Sequence, residues 1–145
     1  HVFNNYVSYF DQKKFLTTIN LNKNIITLNK NIIENVQSYN FFNNSLISLN
    51  NDGLLKSFNI LNGKLFWKID AEEVLSKEDS IVNISSSTNS LFIFFESGNI
   101  LELNHKTGNI LSIQKLKLKN IDSVYFIDKY ILINQHNGKT SVFVQ

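Results

Sequence analysis

The chain has 145 residues, of which 43% are apolar, and carries a formal net charge of +2. That length suffices for one domain with a buried core, and it holds no apolar run of the roughly 18 residues that a membrane-spanning helix requires. The absence of Cys excludes disulfides and thiolate metal sites, and the absence of Arg excludes bidentate guanidinium recognition of phosphate or guanine.

In chain order, the first segment reads as short strands at residues 2–4, 6–10, 15–21 and 25–28. A second set follows at 36–42, 46–50, 54–59 and 64–69, and a third at 81–86, 91–95, 100–104 and 109–113. A fourth offers 123–126, 130–134 and 139–144. The abundance of Phe, Tyr and Ile favours strands, and strands this short joined by brief loops describe antiparallel meanders. The richness in Asn reads as the product of AT-rich codons, because regular apolar strands interrupt it throughout.

The segments are copies of one another. Asn51-Asp52-Gly53 is followed by Leu61-Asn62-Gly63, and Glu96-Ser97-Gly98 by Lys106-Thr107-Gly108; each glycine of the first pair precedes its counterpart by 45 residues. Gly138 lies 40 residues after Gly98, and stepping back 40 from Leu46 reaches a fourth, degenerate copy at Tyr6-Val7-Ser8-Tyr9-Phe10. A period of about 40–45 residues built of strands and Gly turns is the pattern of β-propeller blades. Asn-Gly and Asp-Gly supply the positive φ of tight hairpins. Leu91-Phe92-Ile93-Phe94-Phe95 has no polar residue, so both its faces must be covered, as in a blade packed between two others.

The expected fold is therefore all-β: about 3.5 four-stranded antiparallel propeller blades at approximately 1–30, 36–70, 81–115 and 121–145, within a larger ring, which the family resemblance described next implies has about eight blades. The chain opens at His1 inside a repeat, so the natural protein is expected to extend further N-terminally.

The second repeat resembles that of the pyrroloquinoline-quinone-like (BamB-like) propellers. It shows an apolar strand, Asp52-Gly53, Asn59 at the usual Asp position, then Asn62-Gly63-Lys64 with Trp67 closing the unit. The third copy keeps Gly98, Asn104 and Thr107-Gly108 but has Ser112 in place of the Trp, and the first has Lys23-Asn24 and Thr27 at these places. In that family the Trp packs between blades. One branch comprises quinone-dependent dehydrogenases; the other comprises non-catalytic scaffolds, chiefly the BamB-like lipoprotein of the outer-membrane β-barrel assembly machinery. The scaffold branch implies a protein-binding role on the periplasmic face of the outer membrane, with any lipid anchor outside this chain. The alternatives are a dehydrogenase fragment and an unrelated propeller adaptor or sensor.

The residues themselves favour binding over chemistry. A quinone enzyme needs a Ca²⁺ held by converging oxygens, yet no Asp-x-Asp-x-Asp-Gly run occurs and the acids fall mostly at turns. No catalytic, cofactor or metal residue is assigned. His105 and His136 adjoin hairpin turns, and no nucleophile motif accompanies them. Lys115-Leu116-Lys117-Leu118-Lys119 reads as a solvated edge strand rather than a nucleic-acid patch, since no aromatics interleave it. Residues 70–80 form the longest connection and have room for one helical turn. Its acids surround Val74 and Leu75, so Glu72, Glu73, Val74, Leu75 and Lys77 are the candidate protein-binding residues, able to steer a basic partner onto an apolar contact.

Overall fold

The computed structural model describes residues 1–12, 14–32, 36–74, 79–87, 89–127 and 129–144, without the side chain of Glu72. Among them the backbone forms four antiparallel sheets, each a meander in chain order. The first comprises β1 (Val2–Phe3), β2 (Tyr6–Phe10), β3 (Leu16–Asn20) and β4 (Ile25–Lys30). The second comprises β5 (Val36–Phe42), β6 (Ser45–Asn50), β7 (Leu54–Asn59) and β8 (Leu65–Asp70), and one helical turn, α1 (Ala71–Val74), follows it. The third comprises β9 (Ile81–Ser86), β10 (Ser90–Phe95), β11 (Asn99–Asn104) and β12 (Ile110–Lys115). The fourth has three described strands, β13 (Ile121–Ile127), β14 (Tyr130–Gln135) and β15 (Thr140–Val144). These are propeller blades, grouped into two compact units, His1–Ala71 and Glu72–Gln145.

Turn chemistry repeats with the blades. Asn59 and Asn104 close β7 and β11, and the side-chain carbonyl of each accepts a backbone N–H two residues on, from Leu61 and Lys106. Asn20 does the same at the end of β3. Such Asx turns give many of the asparagines a structural job. Gly63 (φ 68) and Gly108 (φ 75) occupy the left-handed position that follows, and in the first blade Asn24 (φ 51) takes it. Asn tolerates that region better than other non-Gly residues, so the first copy is degenerate in sequence but not in backbone. The outer strand of all three complete blades then slips register at one place, beside Thr18, Ser57 and Glu102.

Counting from these turns corrects one alignment. Trp67 lies opposite Ser57, Ser112 opposite Glu102, and Leu28 opposite Thr18. The first-blade counterpart of Trp67 is thus Leu28, not Thr27, which falls in the bulge. Leu28 and Trp67 are the buried residues of otherwise largely exposed outer strands.

Inside the first unit the core lies between its two blades. Leu16 and Leu28 meet Leu46, Phe58 and Ile60, with Phe10 and Phe41 at the margin. Burying each such side chain stabilises by about 1.5–3 kcal/mol. The Thr18 hydroxyl donates to the Ile60 carbonyl across the seam (2.6 Å) and accepts from Ser8 (2.9 Å). The second unit repeats this with Phe94 against Ile121, Val124 and Ile133. There the Asn83 amide donates to the Val124 carbonyl (2.6 Å).

Residues 115–119 depart from the edge-strand expectation. The strand β12 ends at Lys115, and Leu116 to Lys119 form the connection to β13. The Leu116 N–H donates to the Gly98 carbonyl (2.9 Å). Leu116 and Leu118 turn onto the core cluster while the three lysines stay exposed. The alternation survives because burial of the leucines, not strand pairing, enforces it.

Candidate binding surfaces

The 70–80 connection begins as β8 hands over to α1. Ala71 is fully buried and its N–H donates to the Gly53 carbonyl (3.3 Å), pinning the start of the helical turn. Of the candidate binding residues, Glu73 is exposed and Val74 is half-buried on that turn. Leu75 and Lys77 lie outside the described residues, as does the side chain of Glu72. The far end of the connection has a different role. Asp79 is buried, and its carboxylate accepts from the Ser97 N–H (3.0 Å), the Ser97 hydroxyl and the Asn99 amide (2.9 Å). It therefore clamps the Gly98 turn between β10 and β11 and cannot serve as a steering charge. From sequence alone, Asp79 looked like one more acid of the loop.

A second polar cluster lies within the third blade. Glu102 accepts from the Ser90 hydroxyl (2.7 Å) and from the Ser112 hydroxyl (2.8 Å). Glu102 and Ser112 stand where the second blade has Ser57 and Trp67. The missing aromatic is thus matched by an extended acid on the neighbouring strand, a compensation visible only once the strands are paired.

His136 is flanked by Glu96 (3.4 Å from Nε2) and Asp122 (3.5 Å from Nδ1), all largely solvent-exposed. The two carboxylates meet opposite nitrogens, so the ring bridges them and does not converge with them on a point. Among the described residues no group of three or more His, Cys, Asp and Glu side chains is arranged to hold a metal. None of the helices among them is long and apolar enough to cross a membrane.

An apolar groove of about 230 Å³ opens between the third and fourth blades, walled by Phe92, Phe94 and Ile100 on one side and by Phe126, Ile131 and Phe143 on the other. No pattern along the sequence marks it, because its walls come from strands of two different blades.

No protein-family model and no curated protein matches the sequence. Solved structures do. BamB from Moraxella catarrhalis superposes with a TM-score of 0.69 at 16% identity, over 100% of this chain and 42% of that one. The computationally designed Ika4 protein gives 0.63 at 16% identity, over 99% and 87%. The WD40 propeller domain of Doa1 gives 0.62 at 18%, over 97% and 47%. The chain has a β-propeller fold. It spans less than half the length of the BamB structure that it matches.

Proposed function

We propose that this chain belongs to a non-catalytic propeller scaffold that binds protein partners, with a BamB-like place in the outer-membrane β-barrel assembly machinery, on the periplasmic face of that membrane. One observation carries the reading: all of the chain overlays on BamB at a TM-score of 0.69, and its second repeat has the Asn59, Gly63 and Trp67 pattern of that family's repeat. The identity of 16% speaks for the fold alone, so the role is an inference from kinship of pattern. The polar clusters support it. Asp79 and Glu102 are tied into turn and strand contacts, and the exposed His136 bridges two acids.

The binding surface proposed is α1 with its following residues: Glu72, Glu73, Val74, Leu75 and Lys77. The test is capture of the soluble domains of a barrel-assembly protein by the immobilised chain. Val74→Asp with Leu75→Asp is expected to weaken capture while leaving far-UV circular dichroism unchanged. Full capture by the folded double variant would remove this surface. No capture by the unaltered chain would remove the barrel-assembly role.

A further inference from the structure

In each blade a hairpin joins the second and third strands, and one of its residues, in the left-handed region, donates its N–H to the carbonyl three residues earlier. In blades two, three and four that residue is Gly53 (φ 76), Gly98 (φ 91) or Gly138 (φ 79), bonded to Asn50, Phe95 or Gln135. In blade one it is Lys14, with φ 62 and a bond of 2.9 Å to the Asp11 carbonyl. Every other non-glycine residue with positive φ among those described is an asparagine, namely Asn4, Asn24, Asn43 and Asn120. The short polar side chain of Asn tolerates that region, whereas Lys bears its steric cost in full. A strained position of this kind points to a use for the side chain.

Lys14 lines a groove of about 770 Å³ between the two blades of the first unit, and all its described lining residues lie between Phe10 and Asn51 of that unit. Phe10 of β2 and Tyr39 of β5 give it an aromatic wall. Their rings meet edge to face with centroids 4.6 Å apart, and Tyr39 is 51% exposed. Gln37 and Ser38 of β5 and Asn51 of the next hairpin add amide and hydroxyl groups. Lys14 is the charged side chain among the described lining residues, and the Asp11 carboxylate in its turn already accepts the Phe15 N–H (2.9 Å). The first unit as a whole is basic, with seven lysines against four acids in residues 1–71. Asn51 belongs to the turn whose Gly53 carbonyl holds the Ala71 N–H, so the groove adjoins the root of α1.

We propose that this groove binds an acidic peptide segment of a protein partner, with a carboxylate on the Lys14 ammonium, an aromatic side chain against Phe10 and Tyr39, and peptide groups hydrogen-bonded by Gln37, Ser38 and Asn51. The proposal rests on the protein-binding reading and gives that role a recognition chemistry. The positive charge of the lining and of the unit around it selects an anionic occupant. The aromatic pair selects one that also carries apolar surface. The neutral amides and hydroxyl, donors and acceptors at once, suit the paired N–H and C=O of a peptide backbone.

The test uses the 145-residue chain, isotope-labelled for NMR, and an acetylated synthetic peptide of alternating Glu and Phe. Titration is expected to shift the amide signals of Lys14, Gln37, Ser38, Tyr39 and Asn51, and added salt to weaken binding. A counterpart peptide with Gln in place of each Glu is expected to bind about 3–10-fold more weakly. Lys14→Gly is expected to weaken the acidic peptide by a similar factor while the melting temperature holds or rises, because glycine suits the left-handed turn. A clear drop in that melting temperature would make Lys14 a structural residue and overturn the proposal. So would equal binding of the two peptides, equal binding by the variant and the unaltered chain, or shifts confined to residues outside the groove. Binding to vesicles of anionic phospholipid with none to the peptide would overturn it in favour of a membrane surface. The barrel-assembly protein takes no part in these measurements, so its capture can fail while the groove stands, and a groove that binds no peptide leaves the test of α1 intact.

Discussion

Gly98→Ala tests the turn on which the second unit is assembled. Gly98 adopts φ +91, and a Cβ there would overlap the Leu118 carbonyl oxygen and lie 3.3 Å from that of Leu116. Both obstacles are backbone atoms of the 116–119 connection, which Gly98 itself holds through its carbonyl, bonded to the Leu116 N–H. The left-handed backbone alone costs an L-residue about 1–2 kcal/mol. Forcing the connection outward adds about 1–3 kcal/mol, the usual range for overpacking. Gly138 provides the control: its φ is +79, but nothing stands within 4 Å of a built Cβ. Gly138→Ala should therefore show the backbone cost only. In urea titrations followed by circular dichroism at low protein concentration, Gly98→Ala should destabilise by about 2–5 kcal/mol and Gly138→Ala by about 1–2 kcal/mol. At about 2–4 °C per kcal/mol for a chain of this size, the two melting temperatures separate by several degrees. Asn separates the two terms further, because Asn4, Asn24, Asn43 and Asn120 already sit at φ 51 to 54. Gly138→Asn should recover most of its loss, whereas Gly98→Asn should not. Equal losses for the two alanine variants would show that the close approach of the 116–119 connection is not real.

Trp67→Ala removes a buried indole from the outer strand of blade two and should cost about 3–5 kcal/mol; an unchanged melting temperature together with lost partner capture would instead make Trp67 a binding residue. Asp79→Ala should cost about 1–3 kcal/mol through the orphaned donors of Ser97 and Asn99, measured by the same titrations, with a wild-type value counting against the clamp. Ser112→Leu should lose about 1–3 kcal/mol by leaving Glu102 short of a donor, and adding Glu102→Thr should restore stability by recreating the Thr18–Leu28 pair of blade one. A double variant no better than the single one would sink that account.

What the sequence determined by itself was local and periodic. The spacing of Gly53, Gly63, Gly98, Gly108 and Gly138 announced left-handed turn positions, each of which has positive φ. The unbroken apolar run 91–95 announced a strand covered on both faces, and four of its five residues are buried. Both are read along the chain because φ at a turn and side-chain alternation in a strand depend on immediate neighbours. The tertiary structure decided whatever depends on which strands lie side by side. It moved the first-blade counterpart of Trp67 to Leu28, because a bulge inserts one residue that no pattern of apolar positions reports. It took Asp79 out of the acidic loop, because its three donors lie 18 to 20 residues away across a hairpin. It turned the 115–119 alternation from an edge strand into a packed connection, because Leu116 and Leu118 could bury against a core assembled from other strands. Glycines and apolar runs carry their meaning in the chain, whereas a carboxylate or a lysine takes its role from the groups that folding brings to it.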